Sequence, residues 1–178
     1  GQNSTGIFAT GTGTYTATND GKIKLASSTS VNRPNIGMYT DKSTVTLESD
    51  GTIEGGDKTV GMYGYGINLK NNAITKVGTG GTGVYSKGGN VTAGGTITNN
   101  AANVKIGNSA YGFVVQNEKG AAVTLKTNTP NVTLGNDVVY TYSNNRAGSI
   151  TNTTVLNSTG NGNYGIYGAG TVINSGNM

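Results

Sequence analysis

The chain has no cysteine, histidine or tryptophan, only 2 prolines, and a charged fraction of 11%. Each shortage removes chemistry. Without cysteine there is no thiolate nucleophile, no disulfide framework and no zinc cluster of the Cys/His kind. Without histidine there is no imidazole base to drive a Ser-His-Asp triad. A charged share far below the roughly 25% of ordinary globular domains argues against an average cytoplasmic fold. No run of about 18 apolar residues occurs, and Gly1-Gln2 opens neither a basic nor an apolar leader region. The expectation is a segment of a longer protein, without a membrane span or signal peptide of its own.

What is abundant is glycine, at 31 of 178 residues, together with Thr, Asn and Ser. The glycines have no period of three, which excludes collagen. Disordered chains lack regularly placed Val, Ile and Tyr, and this chain is full of them, so an ordered fold is expected. The formal net charge is +4, but the basic residues stand singly, as at Lys22, Lys42, Lys58, Lys70, Lys87, Lys105, Lys126 and Arg146. Scattered cations describe a solvated surface, and no nucleic-acid partner is expected.

Self-similarity decides the fold class. A glycine-apolar-aromatic triplet recurs at Gly6-Ile7-Phe8, Gly37-Met38-Tyr39, Gly61-Met62-Tyr63, Gly83-Val84-Tyr85 and Gly165-Ile166-Tyr167. Degenerate copies are read at Gly112-Phe113-Val114 and Val138-Val139-Tyr140. The mean interval is about 26 residues, in the range of solenoid repeats. Two further short β-like stretches follow each triplet: Val45-Thr46-Leu47 with Gly51-Thr52-Ile53, Ile67-Asn68-Leu69 with Ala73-Ile74, Val91-Thr92-Ala93 with Gly95-Thr96-Ile97, and Val123-Thr124-Leu125 with Val132-Thr133-Leu134. Each alternates apolar with polar residues, the period-two signature of a strand with one buried face. Leucine-rich and propeller signatures are missing. The sequence therefore predicts an all-β, right-handed parallel β-helix over residues 1–178, a single solenoid segment of about seven rungs with three short strands per rung.

The middle triplet position is apolar every time and is expected to face inward. Glycine and aromatic neighbours then face out, which makes Tyr39, Tyr63, Tyr85, Tyr140 and Tyr167, with Phe8, an exposed aromatic ladder interrupted at Val114. Aromatics at rung spacing stack for about 0.5–1.5 kcal/mol per pair. Three segments exceed the minimal rung and are read as loops able to reach a partner: residues 27–35 with Arg33, 99–111, and 142–148 with Tyr142 and Arg146. Tyr65, between two glycines, joins Arg33, Tyr142 and Arg146 as a possible ligand contact.

The triplets Gly-Met-Tyr, Gly-Val-Tyr and Gly-Ile-Tyr, with the Gly-Thr-Ile segments at 51–53 and 95–97, resemble the passenger repeats of very large fusobacterial type Va autotransporter adhesins. The resemblance spans essentially the whole chain. It implies a right-handed β-helical passenger displayed on the cell surface, anchored in the outer membrane by a C-terminal barrel that this segment lacks. It further implies attachment to host cells or to other bacteria through a surface glycan or protein. The segment itself is expected to be monomeric. A cysteine-free passenger suits passage across the periplasm unfolded. No ligand residue of the family maps onto this chain.

β-Helices also carry polysaccharide lyases and hydrolases, whose sites gather carboxylates on one face. The acidic residues here are Asp20, Asp41, Glu48, Asp50, Glu54, Asp57, Glu118 and Asp137, and five of them fall between 41 and 57, around a single rung. Paired catalytic carboxylates are therefore not expected, nor any metal or cofactor. The dinucleotide-type patterns at 78–83 and 160–165 open no helix and read as turns entering the next strand. Gly55-Gly56-Asp57 lacks the spacing of a calcium-binding nonapeptide.

Overall fold

The computed structural model describes residues 2–65, 69–72, 75–87 and 95–178. The first turn comprises β1 (Thr5–Ala9), β2 (Tyr15–Asn19) and β3 (Lys22–Leu25), the second β4 (Ile36–Thr40), β5 (Val45–Ser49) and β6 (Thr52–Gly55). The chain continues through β7 (Val60–Tyr65), β8 (Leu69–Asn71) and β9 (Thr75–Val77), then β10 (Thr82–Lys87), β11 (Gly95–Asn99) and β12 (Asn103–Ile106). It ends with β13 (Tyr111–Gln116), β14 (Val123–Thr127), β15 (Asn131–Leu134), β16 (Val139–Ser143), β17 (Ser149–Asn152), β18 (Leu156–Ser158), β19 (Tyr164–Gly168) and β20 (Thr171–Asn174). Every third strand pairs in parallel, giving a first sheet of seven strands from β1 to β19, a second of seven from β2 to β20 and a third of six from β3 to β18. This is the three-sided parallel β-helix that the repeat predicts, and no helix occurs among the described residues.

The core is built of columns, because in-register parallel pairing places each inward side chain on its equivalent one rung away. The first sheet contributes Ile7, Met38, Met62, Val84, Phe113, Thr141 and Ile166. The second contributes Ala17, Leu47, Leu69, Ile97, Leu125 and Ile150, and the column ends on the exposed Val172. Met38, Leu47, Leu69, Ile97, Phe113 and Leu125 are completely buried. The inward assignment of the triplet's middle position is thus correct at every copy except the sixth, where Thr141 and not Val139 takes the column position.

The glycine of the triplet does not face out as expected. Gly37 is buried together with Met38, and a Cβ built on it would lie 2.5 Å from the Gly61 carbonyl oxygen. The same collision recurs at Gly61 with Gly83 O (2.4 Å) and at Gly83 with Gly112 O (2.6 Å). These glycines let successive rungs approach closely.

The sixth triplet is also displaced. Phe113 pairs with Thr141 and Val114 with Tyr142, so Tyr140-Thr141-Tyr142, and not Val138-Val139-Tyr140, continues the column. Tyr140 occupies the glycine position and its side chain turns inward, with its ring edge-on to Phe113 at 5.6 Å and 82°. It is fully buried, which removes it from the exposed ladder.

A second displacement affects the fourth rung. Gly95-Thr96-Ile97, read as a third strand, belongs to the second sheet, where Ile97 lies between Leu69 and Leu125. The third strand of that turn is β12, so the segment 99–111 is strand and turn and not a loop. That segment has the same element spacing as the following rung. The stretches at Val91–Ala93, Ile67–Asn68 and Ala73–Ile74 lie outside the described residues.

Polar columns run along two corners. Between the second and third sheets, Asn19, Ser49, Asn71, Asn99, Thr127, Asn152 and Asn174 stack in register. Asn71 Nδ2 donates to Asn99 Oδ1 at 2.7 Å, Thr127 Oγ1 to Asn152 Oδ1 at 2.6 Å, and Asn152 Nδ2 to Asn174 Oδ1 at 2.8 Å. Asn99 Nδ2 also reaches Thr129 Oγ1 and, at 3.4 Å, the Tyr140 hydroxyl.

Between the third and first sheets the turns repeat a left-handed residue at Lys58, Gly80, Ser109, Asp137 and Gly162, with φ of 54°, 66°, 50°, 55° and 71°. The first four donate their amides to a carbonyl of the next rung at 2.8 Å. Preceding side chains reinforce the link: Asp57 Oδ1 accepts from Thr79 N, Asn108 Oδ1 from Asn136 N and Asn136 Oδ1 from Asn161 N, each at 2.9 Å. The dinucleotide-like patterns at 78–83 and 160–165 are these turns, each running into a first-sheet strand.

Two outcomes follow for stability. Met62→Asp buries an unpaired carboxylate and should cost several kcal/mol, whereas Lys70→Ala at an exposed ion pair should stay within about 0.5 kcal/mol, as thermal unfolding beside the parent will show. Asn99→Ala leaves the Asn71 amide without its acceptor and should cost about 1–3 kcal/mol, while Asn100→Ala, whose side chain reaches Asn72 at the surface, should be near neutral in urea titrations.

Candidate functional site

The outer face of the first sheet carries the aromatic column. In register it runs Phe8, Tyr39, Tyr63, Tyr85, Val114, Tyr142 and Tyr167. Phe8 and Tyr39 stack at 5.2 Å and 26°, Tyr39 and Tyr63 at 5.4 Å and 40°, and Tyr63 and Tyr85 at 5.1 Å and 9°. Beyond Val114 the stack resumes with Tyr142 and Tyr167 at 5.0 Å and 7°. The strand repeat alone dictates this spacing, since side chains at one register position are a rung apart.

Tyr142 is therefore a ladder member on β16, and not part of a loop. Tyr65, at the end of β7, packs its ring edge-on to Tyr63 at 5.7 Å and 71°. Arg33 and Arg146 lie elsewhere. Arg33 is exposed in the connection from β3 to β4, a true insertion closed by Asn35, whose Oδ1 accepts from Ser4 N and whose Nδ2 donates to Ala26 O, both at 2.9 Å. Arg146 sits in the turn after β16 and pairs with Glu118 at 3.1 Å. The four predicted contact residues thus split into two tyrosines on one face and two separate arginines.

At the break in the ladder Thr82, Tyr85, Tyr111, Val114, Gln116 and Tyr142 line a cleft of about 330 Å³. Tyr85 donates its hydroxyl to Gln116 Oε1, and Tyr111 packs edge-on to Tyr142 at 6.5 Å and 80°. Tyr111, Gln116 and Thr82 belong to no repeated triplet. The interruption at Val114 was the signal that marks them.

Glu48 and Glu54 stand on different sheets, while Glu48 and Asp50 share the Asn72 amide, whose Nδ2 donates to both at 3.2 and 2.8 Å. Glu48 lies on the second sheet and pairs with Lys70 at 3.4 Å, while Glu54 lies on the third between Lys22 at 2.9 Å and Lys76 at 3.6 Å. The Lys22 hydrogen bond holds the Glu54 carboxyl below its usual range, and the Thr10 hydroxyl does the same for Asp41. Among the described residues no group of three or more acidic side chains gathers as a metal site would require.

Fold and face together define a parallel β-solenoid with an external aromatic ladder. No family model, curated protein or solved structure matches the chain.

Burial raises the pKa values of Tyr39, Tyr63 and Tyr85, with neighbouring tyrosines adding to the shift, and burial raises that of Tyr140 inside the coil. A raised folded-state value means that the native state retains protons the unfolded chain gives up above about pH 10. The associated stability is complete below that pH and is lost as the pH climbs toward the folded values. Melting temperatures should hold level up to about pH 9 and fall above about pH 10, and Tyr63→Phe should blunt the fall; circular dichroism melts across this range check it.

Proposed function

We propose that this chain is a non-catalytic spacer and binding segment of a bacterial surface adhesin of the autotransporter type. In the whole protein an outer-membrane barrel holds the passenger outside the cell, and the solenoid meets a glycan or protein on a host cell or another bacterium. The observation that carries this reading is the aromatic column on the outer face of the first sheet, because partly exposed tyrosines on a rigid support give contact area at low entropic cost. The triplet resemblance supports the same reading. So does the distribution of Glu48 and Glu54 over different sheets, each neutralised by lysine.

The test combines attachment with turnover. The chain, immobilised on beads, should retain host or bacterial cells and bind on a glycan and protein array, and it should release no product from any polysaccharide. Product release that disappears on replacing Asp50 or Asp57 would instead establish a polysaccharide lyase or hydrolase.

A further inference from the structure

The ladder omits one ring. Tyr85 pairs with Val114 and Val114 with Tyr142, so the two tyrosines bracket a position where the side chain stops at the isopropyl group. Two rung spacings separate them along the sheet, roughly 9.5 Å. The rings that do stack along this column are 5.0 to 5.4 Å apart. By backbone spacing the column has room for one additional flat ring, and no more, between Tyr85 and Tyr142.

The walls of this slot are already in place. Tyr85 is backed by Tyr63, nearly parallel at 9°, and its hydroxyl is held by Gln116. Tyr142 is backed by Tyr167 at 7° and braced edge-on by Tyr111. Val114 lies at the bottom of the cleft, 6% exposed beneath the surrounding side chains. Preformed walls spare a guest the cost of ordering them.

We infer that the cleft over Val114 is a receptor slot for a single aromatic side chain presented by a partner polypeptide, sandwiched between Tyr85 and Tyr142. The lining favours this guest over a sugar. A pyranose is usually held by charged or amide partners around its hydroxyls; no charged side chain lines the cleft, its one amide, Gln116, has its carbonyl oxygen engaged by Tyr85, and the other polar groups are the hydroxyls of Thr82, Tyr111 and Tyr142. An aromatic ring asks only for faces and an apolar floor. The inference rests on reading this sheet face as a binding surface, and it names the chemistry of the partner.

The absence of tryptophan makes the test direct, because indole emission then reports the probe alone. The probe is the capped tripeptide Gly-Trp-Gly, titrated with the chain and followed by fluorescence anisotropy. Saturable binding in the millimolar range is expected, weakened at least tenfold by Val114→Tyr, which fills the slot from within. The same variant should melt above the parent, since it completes the stack. Tyr142→Leu removes one wall and should also weaken binding at least tenfold; an unchanged circular dichroism spectrum verifies that this variant is folded. Absence of saturable binding, binding that both variants retain, or competition by methyl hexopyranosides would overturn the slot. Failure here, with cell attachment by the parent chain intact, would overturn the aromatic slot and leave the adhesin reading standing; probe binding with no cell attachment would do the reverse.

Discussion

The one-to-one stacking of rungs rests on the buried polar column between the second and third sheets. An amide inside a dry coil must find hydrogen-bond partners or lose about 1–3 kcal/mol, and at this corner the partners stand in the adjacent rungs. Asn71 answers Asn99, Thr127 answers Asn152, and Asn152 answers Asn174. Apolar side chains tolerate sliding past one another, because dispersion is non-directional. Amides do not, and a strand shifted by one residue would carry its amide toward solvent and a neighbour into the core. Register is thereby pinned at one corner, and the left-handed turns with their Asp and Asn bridges pin it again at another.

That constraint explains how the coil tolerates unequal repeats. The chain between equivalent strands varies, as the insertion at 27–35 shows, yet the corner residues remain in register. Extra length is expelled at turns, where loop closure costs little, and the wall-forming strands are unaffected. Asn35 illustrates the device: it ties the longest described connection to Ser4 and Ala26 and so returns the chain to the first sheet.

Much of this was legible in the residues, and the failures have a common cause. The triplet's middle position identifies the inner wall because the column is apolar almost throughout, and the aromatic face follows from alternation. The sixth repeat breaks both habits at once: Thr141 is inward and polar, and the glycine position holds Tyr140. A pattern built on apolar and aromatic letters then settles on Val138-Val139-Tyr140, two residues early. The fourth repeat fails similarly, since Gly95-Thr96-Ile97 has the letters of a third-sheet strand such as Thr52-Ile53 while standing in the second sheet. A better clock was present in the turns. Gly56-Asp57-Lys58, Gly78-Thr79-Gly80, Gly107-Asn108-Ser109, Gly135-Asn136-Asp137 and Gly160-Asn161-Gly162 precede every first-sheet strand from β7 onward by the same distance. These positions answer to backbone geometry, with a left-handed third residue and a tight glycine. They are therefore less free to drift than core positions that accept any side chain of suitable volume.

The same logic bears on how such a surface acquires a site. In a globular enzyme a cleft is assembled from distant segments, but a solenoid with strict register offers a simpler route. Each outward column is a line of equivalent positions, and a single small residue within a column of large ones leaves a gap one ring deep, walled by rungs that are rigid for independent reasons. Val114 does this between Tyr85 and Tyr142. The neighbouring rungs need no rearrangement, because the hydrogen bonds that hold their register lie at the corners and inside the coil. Position along the column, number of gaps and the identity of each floor residue can then vary independently of the fold. A rod whose interior is committed to stacking in this way retains nearly all its freedom on the outer faces, where a partner can read it.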